Sequence, residues 1–167
     1  MKRLFLTLTV LLIALLVSAP TSYAQGAAKA GPDPSTIRDA ELEKDSLHNL
    51  EVARNYFNLK KAYVAALKRC EEIIAGNPNF ARIDEVLFIA GKSARLLAEG
   101  RGKQKAELYV TFDGTSKKGL TPEEFRNGAR SYLTQLINEH PQSSFRREAE
   151  AELQAVGGPV KSDGGKP

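Results

Sequence analysis

The fold of this chain is decided by residues 66–78, ALKRCEEIIAGNP, which return in similar form as residues 129–141, ARSYLTQLINEHP. In both copies, small and apolar residues recur at positions i, i+4, i+7 and i+8, which form one face of a helix. A proline closes each copy, and proline cannot continue a helix. A helix that is used twice and stopped in the same way predicts a stacked helical repeat, an architecture typical of binding proteins.

Working outward from the two copies, the sequence predicts an all-α fold of five helices. The start of the fourth is the clearest, because Thr121 and Glu124 have the spacing of a capping box and Pro122 suits a first helical turn. Residues 107–112 are aromatic and β-branched, and we expect them to form either a short hairpin or an apolar plug that folds back on the helices. The predicted helices cover approximately residues 37–59, 62–75, 81–99, 122–139 and 144–156.

Finer expectations concern single residues. Leu47 is expected to share the buried stripe of the first helix with Leu50. Asn79 is expected to cap the third helix, and Ser143 the fifth. The fifth helix is expected to present a solvated acidic face, made by Glu148, Glu150 and Glu152.

The N-terminus has the composition of a secretory signal. Lys2 and Arg3 precede an apolar run at residues 4–17, and Ala24 ends a small-residue motif that a signal peptidase reads. The run is shorter than the ~20 residues that a spanning helix needs, so we expect cleavage after Ala24, with an uncleaved anchor as the alternative. The chain then divides into a signal peptide (1–24), a flexible leader (25–36), a helical domain (37–156) with an insert at about 100–121, and a disordered tail (157–167).

The charge of the exported chain is nearly balanced. Loss of Lys2 and Arg3 with the signal leaves 22 basic and 20 acidic residues, which offers no electrostatic case for binding nucleic acid. Since no cysteine lies near the cleavage site, we expect no lipid anchor there. The single cysteine, Cys70, lies on the apolar face of its helix and is expected to be a small buried hydrophobe, with a reactive or intermolecular thiol as the alternative.

The two copies resemble the tetratricopeptide repeat family, whose repeat unit places small residues between paired helices and ends in a proline. This resemblance implies a short solenoid of antiparallel helix pairs, about 2.5 repeats long, with the fifth helix as a terminal cap. The spacing from Pro78 to Gly91, together with residues 77–85 and 137–144, resembles the BamD-like branch, periplasmic proteins that help to assemble outer-membrane proteins. The residues that carry the repeat packing are Leu50, Ala53, Phe57, Ala66, Cys70, Ile73 and Pro78 in the first copy, and Leu87, Ala90, Gly91, Ala129, Leu133, Leu136 and Pro141 in the second.

The sequence lacks the residue sets that catalysis or metal binding requires. Its two histidines, His48 and His140, lie in a charged helix and beside a helix-ending proline, and the sequence has no Ser-His-Asp set, CxxC or HExxH motif. Residues 113–124 have the outline of a calcium loop, but Lys118 stands where glycine is required and Lys117 at a ligand position. We therefore expect no enzymatic activity, no cofactor and no bound metal.

Binding residues are expected on two surfaces. In tetratricopeptide arrays the first helix of each pair lines a concave groove, where Arg and Asn side chains can pair with a peptide carboxylate or backbone. The polar groove residues here are Arg54, Asn55, Asn58, Lys92 and Arg95. The insert adds cations that would dock an acidic partner or an anionic surface, unless it is simply a solvated loop: Arg101, Lys103, Lys105, Lys117 and Lys118.

These observations predict a periplasmic or envelope-associated protein–protein interaction module without enzymatic activity, accessory to outer-membrane protein assembly, which binds a protein or peptide partner. One alternative is a structural subunit of an envelope complex. The other is a binder of the envelope surface, associated peripherally with the membrane through the basic insert. High salt separates these hypotheses, because screening weakens insert-driven binding more than apolar contacts.

Overall fold

The computed structural model describes residues 39–159, apart from the side chain of Asp113. Helices form most of this range, and the predicted helical class is confirmed. The predicted signal peptide and leader, and the tail from 160 onward, lie outside the described residues. The helices are α1 (Ala40–Arg54, continued by a π-helical turn at Asn55–Lys60), α2 (Tyr63–Gly76), α3 (Ile83–Ala98), α4 (Pro122–Glu139) and α5 (Arg146–Ala155). Within residues 39–159, no helix is both long enough and apolar enough to span a bilayer.

The start of α4 follows the predicted capping chemistry. Thr121 Oγ1 accepts a hydrogen bond from the Glu124 N–H at 3.2 Å, and the Glu124 carboxylate accepts one from the Thr121 N–H at 2.7 Å. The Lys118 ammonium lies 2.7 Å from the same carboxylate. Lys118 and the two groups of Thr121 together lower the pKa of Glu124 to about 2. The predicted capping box is confirmed.

The third helix starts later than predicted. Residues 78–82 form tight turns, closed by backbone hydrogen bonds from the N–H groups of Phe80 and Ile83. These turns place Phe80 in the core, and the helix begins only after them. The N-cap position is therefore Arg82, and the prediction that Asn79 caps this helix is wrong.

The fifth helix differs from the prediction at both ends. Ser143 closes the turn before α5 and does not cap the helix: its Oγ accepts from the Phe145 N–H at 3.1 Å and donates to Asp84 at 2.7 Å. At the other end, Gly157 and Gly158 adopt positive φ angles of 93° and 81°, the conformation that commonly ends a helix. These two glycines, assigned to the tail from sequence, belong to the end of α5.

The buried stripe of α1 is formed by Ser46, Leu50 and Ala53. Leu47, predicted to belong to it, is 41% exposed. The reason is a polar contact, since Ser46 Oγ accepts a hydrogen bond at 3.1 Å from Asn77, the residue that ends α2. A buried hydroxyl needs such a partner, and this pair fixes the rotation of α1 with Leu47 at the rim.

The core lies along α2, α3 and α4. Each helix packs against the next one in the chain, and α3 also contacts α5. The i, i+4 and i+7 positions of the two sequence copies belong to this core and are at most 2% exposed: Ala66, Cys70, Ile73, Ala129, Leu133 and Leu136. Full burial of each Leu or Ile side chain among them contributes about 1.5–3 kcal/mol. The i+8 positions, Ile74 and Ile137, are partly buried and pack against the core. The two closing prolines remain exposed just beyond the ends of α2 and α4.

At Gly91, α3 and α4 approach closely. A Cβ atom added there would lie 2.6 Å from Leu133 Cγ and 3.5 Å from the Ala129 carbonyl oxygen. Real Cβ atoms do not pack at the first of these distances, because carbon atoms make their best contact at about 3.5–4.0 Å. The small residue at position 91 is therefore required by the packing of these two helices.

The insert between α3 and α4 is ordered and contains a hairpin. Val110–Asp113 (β1) pairs antiparallel with Ser116–Gly119 (β2), so that Phe112 lies opposite Lys117. Gly114 supplies the positive φ angle, 62°, that a two-residue hairpin turn needs. The hairpin predicted as one alternative is thus present.

The insert also supplies the predicted plug, in the form of Tyr109. This side chain is buried, its ring packs edge-on against Phe125 at a centroid distance of 5.4 Å, and its hydroxyl donates to the Glu71 carboxylate at 2.7 Å. Tyr132 donates to the same carboxylate at 3.0 Å. Burial raises the pKa of Glu71, although the two tyrosine hydrogen bonds act in the opposite direction. The contacts attach the insert to both α2 and α4.

A second attachment lies where the insert leaves α3. Gly102 has a φ angle of 105°, and a Cβ atom there would lie 2.6 Å from the Tyr63 ring and 2.8 Å from the Lys61 carbonyl oxygen. The N–H of the next residue donates to that carbonyl at 2.9 Å. Only glycine allows this close approach, which joins the insert to the corner between α1 and α2.

Candidate functional site

Arg54, predicted to contact a partner, is engaged inside the domain. At the end of α1, its Nε and Nη2 donate to the two carboxylate oxygens of Glu85 at 2.5 and 2.7 Å, and this hydrogen bonding raises the pKa of Arg54. Arg82 donates to the same carboxylate at 2.6 Å. Because the Glu85 side chain is only 9% exposed, its charge needs these partners. Arg54 therefore fastens α1 to α3.

Lys92 and Arg95 are likewise paired with α5. Arg95 Nε donates to Glu152, and Lys92 Nζ lies 3.2 Å from the same carboxylate. The prediction that Glu152 lies on a solvated face is wrong, because α5 packs along α3 and brings this residue against the two cations. Glu148 and Glu150 remain exposed as predicted.

Aromatic contacts close the same junction. The rings of Phe88 and Phe145 stack at a centroid distance of 5.1 Å, and the Lys92 ammonium lies 5.1 Å from the Phe88 centroid. A cation over an aromatic face is electrostatically favourable. The surface where α3 meets α5 is thus occupied by contacts within the domain.

Asn55 and Asn58 remain exposed, on the π-helical turn that continues α1. The turn ends at Lys61, whose positive φ of 52° is rare for a residue with a side chain. Phe57 anchors it by packing against Tyr63 at a centroid distance of 5.4 Å. π-helical turns occur frequently at functional sites, so the two asparagines mark the part of the predicted surface that is open to a partner.

An open pocket of about 310 Å³ lies beside this turn. Its lining combines an imidazole, a carboxylate, an amide and an ammonium group with one aromatic ring, over which the Lys60 ammonium lies at 4.9 Å from the Tyr56 centroid. These side chains share one face of α1 and the turn. The lining residues are His48, Glu51, Val52, Asn55, Tyr56 and Lys60.

Sequence reasoning identified Asn55 in this pocket but missed the other five residues. The signal was present, since positions 48, 51, 52, 55 and 56 have the i, i+3, i+4, i+7 and i+8 spacing of one helical face. Because these residues are mostly polar, their spacing does not stand out from an ordinary solvent-exposed face. The apolar stripe of the same helix predicts only the opposite, buried side. The pocket chemistry suits an extended peptide, whose backbone can use the amide and whose charged groups can use Lys60 or Glu51.

The predicted cations of the insert divide into two sets. Lys118 is bound to Glu124, and Arg101 lies 3.8 Å from Glu99. The other three have exposed side chains and, in the described part of the chain, no ion-pair partner; they are Lys103, Lys105 and Lys117.

The described residues contain neither a metal-binding cluster nor an accessible cysteine thiol. Within 39–159, no group of three or more His, Cys, Asp or Glu side chains is placed to hold a metal ion. Cys70 is fully buried, and burial raises the pKa of its thiol well above the ordinary value. A protonated, enclosed thiol is a poor nucleophile, so the prediction that Cys70 is a small buried hydrophobe is confirmed.

No family model, no curated protein and no solved structure matches the chain.

Proposed function

We propose that this chain is a tetratricopeptide-type interaction module that binds a segment of another polypeptide and catalyses no reaction. In this proposal α1 with α2 and α3 with α4 form two repeats of a short solenoid, and α5 is the capping helix. The observation that carries the proposal is the equal burial of the matched positions. Ala66 and Ala129, at the same place in the two copies, are both fully buried in helices.

The packing at Gly91 supports the same assignment. Small residues between paired helices let the backbones approach, and the close contact of Gly91 with Leu133 is of this kind. The consecutive contacts of the five helices also fit a stacked array.

The partner site in this proposal is the pocket on α1 and its π-helical turn. Arg54 and Arg95 form ion pairs within the domain. The polar groups of the predicted groove that remain exposed to a partner are therefore those of α1 and its π-helical turn. Asn55 can both donate to and accept from a peptide backbone, and Lys60 can pair with a carboxylate. Since the pocket is open and small, binding energy has to exceed the cost of ordering the segment, and we expect modest affinity.

We also propose an envelope location and a role accessory to outer-membrane protein assembly. The support is the signal-like start of the chain, with Lys2 and Arg3 before an apolar run, and the resemblance of the repeats to the BamD-like branch. An unfolded outer-membrane protein or an assembly factor would supply the extended segment.

Site-specific photo-crosslinking in the organism of origin tests this function. A photoreactive residue at Asn55 should give one defined adduct with a polypeptide, whereas the same residue at Asn138, an exposed asparagine at the end of α4, should not. The adduct should weaken when Tyr56→Ala or Lys60→Glu is combined with it. Equal adducts at both positions, or an adduct that consists only of a second copy of this chain, would favour the structural-subunit alternative.

A further inference from the structure

The insert exposes two large apolar side chains, one of them on its hairpin, together with lysines that have no ion-pair partner among the described residues. Of the five large apolar side chains that are exposed in residues 39–159, Leu108 and Phe112 lie in the insert, with exposures of 60% and 69%. Every residue of β2 is exposed. Contiguous exposed apolar patches commonly mark an interaction surface, and these two side chains are separated by only three residues.

The two faces of the hairpin differ in what they contact. Because side chains alternate along a strand, Phe112 and its cross-strand partner Lys117 lie on one face, while Thr111 and Lys118 lie on the other. The ammonium of Lys118 contacts Glu124 in the first turn of α4. The face with Phe112 and Lys117 is therefore turned away from the start of α4 and toward solvent.

The charge of this segment is positive although the exported chain as a whole is nearly neutral. Residues 101–119 contain five basic and two acidic residues. Lys105 and Lys117 have exposed side chains with no ion-pair partner among the described residues. The segment is also held firmly, since Tyr109 attaches it to Glu71.

We propose that the insert docks on an anionic lipid bilayer, with Phe112 of the hairpin and the preceding Leu108 entering the headgroup region and Lys105 and Lys117 contacting lipid phosphates. Aromatic and aliphatic side chains beside lysines are the combination that interfacial membrane contacts use. An acidic peptide is less well matched, because it would pair with the lysines but would not account for the exposed apolar side chains beside them. The attachment at Tyr109 presents the surface ready-made, so that little ordering entropy is lost on docking.

The chain has no tryptophan, which permits a local test in the intact protein. Phe112→Trp places a single fluorophore on the hairpin, and Leu47→Trp places one at an exposed position of α1. With vesicles of phosphatidylglycerol and phosphatidylcholine in equal parts, the first variant should show a blue shift and quenching by brominated lipid. The second variant should show neither, even if the apolar N-terminal run also binds the vesicles. Phosphatidylcholine alone should give no response at either position.

The contribution of charge is tested in the Phe112→Trp background. Each lysine close to an anionic surface strengthens binding by about fivefold, so the pair Lys105→Gln and Lys117→Gln should weaken the response about 25-fold. The control pair, Lys44→Gln and Arg147→Gln, removes the same charge from exposed positions of α1 and α5 and should leave it within about twofold. All six positions are exposed, and far-UV circular dichroism should confirm that each variant folds.

Two results would overturn the proposal. One is a Phe112→Trp emission spectrum that does not change when anionic vesicles are added. If polyglutamate shifts that spectrum instead, the hairpin binds an acidic protein partner. The other is an equal loss of binding in the insert pair and the control pair, which would show that net charge alone drives the association. Neither result bears on the pocket at Asn55, so this test fails or succeeds independently of the proposed function.

Discussion

Replacing Gly91 by alanine tests the close pairing of α3 and α4. The new Cβ atom would lie 2.6 Å from Leu133 Cγ and 2.8 Å from its Cδ2. Leu133 is fully buried, and Cγ is the branch point of its side chain, so the strain cannot be relieved by rotating a free end. Overpacking of this kind costs about 2–3 kcal/mol. The better helix propensity of alanine offsets about 1 kcal/mol, so the free energy of unfolding should fall by about 1–2 kcal/mol.

The matched control is Gly128→Ala on α4. A Cβ atom at Gly128 has its nearest neighbour, Tyr132 Cε2, at 4.0 Å, which is an ordinary contact. Only the helix-propensity term remains, so this variant should gain up to about 1 kcal/mol. Urea denaturation followed by far-UV circular dichroism should therefore show changes of opposite sign for the two glycines. If both variants stabilise the protein alike, α3 and α4 do not pack closely at Gly91, and the proposed repeat loses one of its two structural supports.

A double-mutant cycle identifies the clash itself. Leu133→Ala alone opens a cavity and should cost about 2–5 kcal/mol. Combined with Gly91→Ala, it removes the atoms that the new Cβ would meet, and the added methyl group fills part of the cavity. The double variant should then cost at least about 1 kcal/mol less than the sum of the single variants. Strict additivity would refute the contact.

Three further predictions concern the insert, the partly buried carboxylate of Glu71 and the cysteine. Gly102→Ala forces a side chain to positive φ beside the Tyr63 ring, so it should lower the free energy of unfolding by about 1–3 kcal/mol; an unchanged urea midpoint would contradict this. Because burial raises the pKa of Glu71, the folded state binds its proton more readily than the unfolded state does. The cost of the ionised carboxylate is thus fully present above the folded pKa and is relieved as the pH falls toward the ordinary value of 4.5. The native protein should gain stability relative to Glu71→Gln over that interval, whereas a pH-independent difference would argue against a partly buried carboxylate. Finally, a thiol reagent should modify Cys70 only as fast as the protein unfolds, and rapid labelling under native conditions would show that the thiol is accessible.

The capping box and the burial pattern that the sequence predicted correctly depend on residues within one or two helical turns. The capping box of Thr121 and Glu124 spans three residues, and its geometry follows from the start of a helix alone. The burial of Ala66 and Ala129 follows from apolar periodicity, which records the face that each helix turns toward its neighbours. For residues 107–112, a hairpin and an apolar plug were predicted only as alternatives, and the structure uses each for a different part of the segment.

The features that the sequence could not supply depend on partners far along the chain. Arg54 and Glu85 are 31 residues apart, and Arg95 and Glu152 are 57 apart. The sequence pattern shows only that each arginine lies off the apolar stripe of its helix. An arginine that is exposed to solvent and an arginine that pairs with a carboxylate on another helix occupy the same positions in that pattern. Leu47 failed for a related reason, because the rotation of α1 is set by a hydrogen bond to Asn77 at the far end of α2.

The connection between α3 and α4 is much longer than the one between α1 and α2, yet α3 and α4 still pack together. The connection runs from 99 to 121, whereas α1 and α2 are joined directly after the π-helical turn. Lengthening a loop is inexpensive in entropy, since each doubling costs only about 0.6 kcal/mol, so the pairing of α3 with α4 survives it. The longer connection also contains apolar residues that have to be accommodated. Tyr109 is buried between α2 and α4, where its hydroxyl donates to Glu71. Leu108 and Phe112, on either side of this buried tyrosine, remain exposed. A loop that only connects two helices needs neither a buried anchor such as Tyr109 nor exposed apolar side chains such as Leu108 and Phe112. Because the insert has both, we propose it as a second binding surface, separate from the proposed pocket on α1.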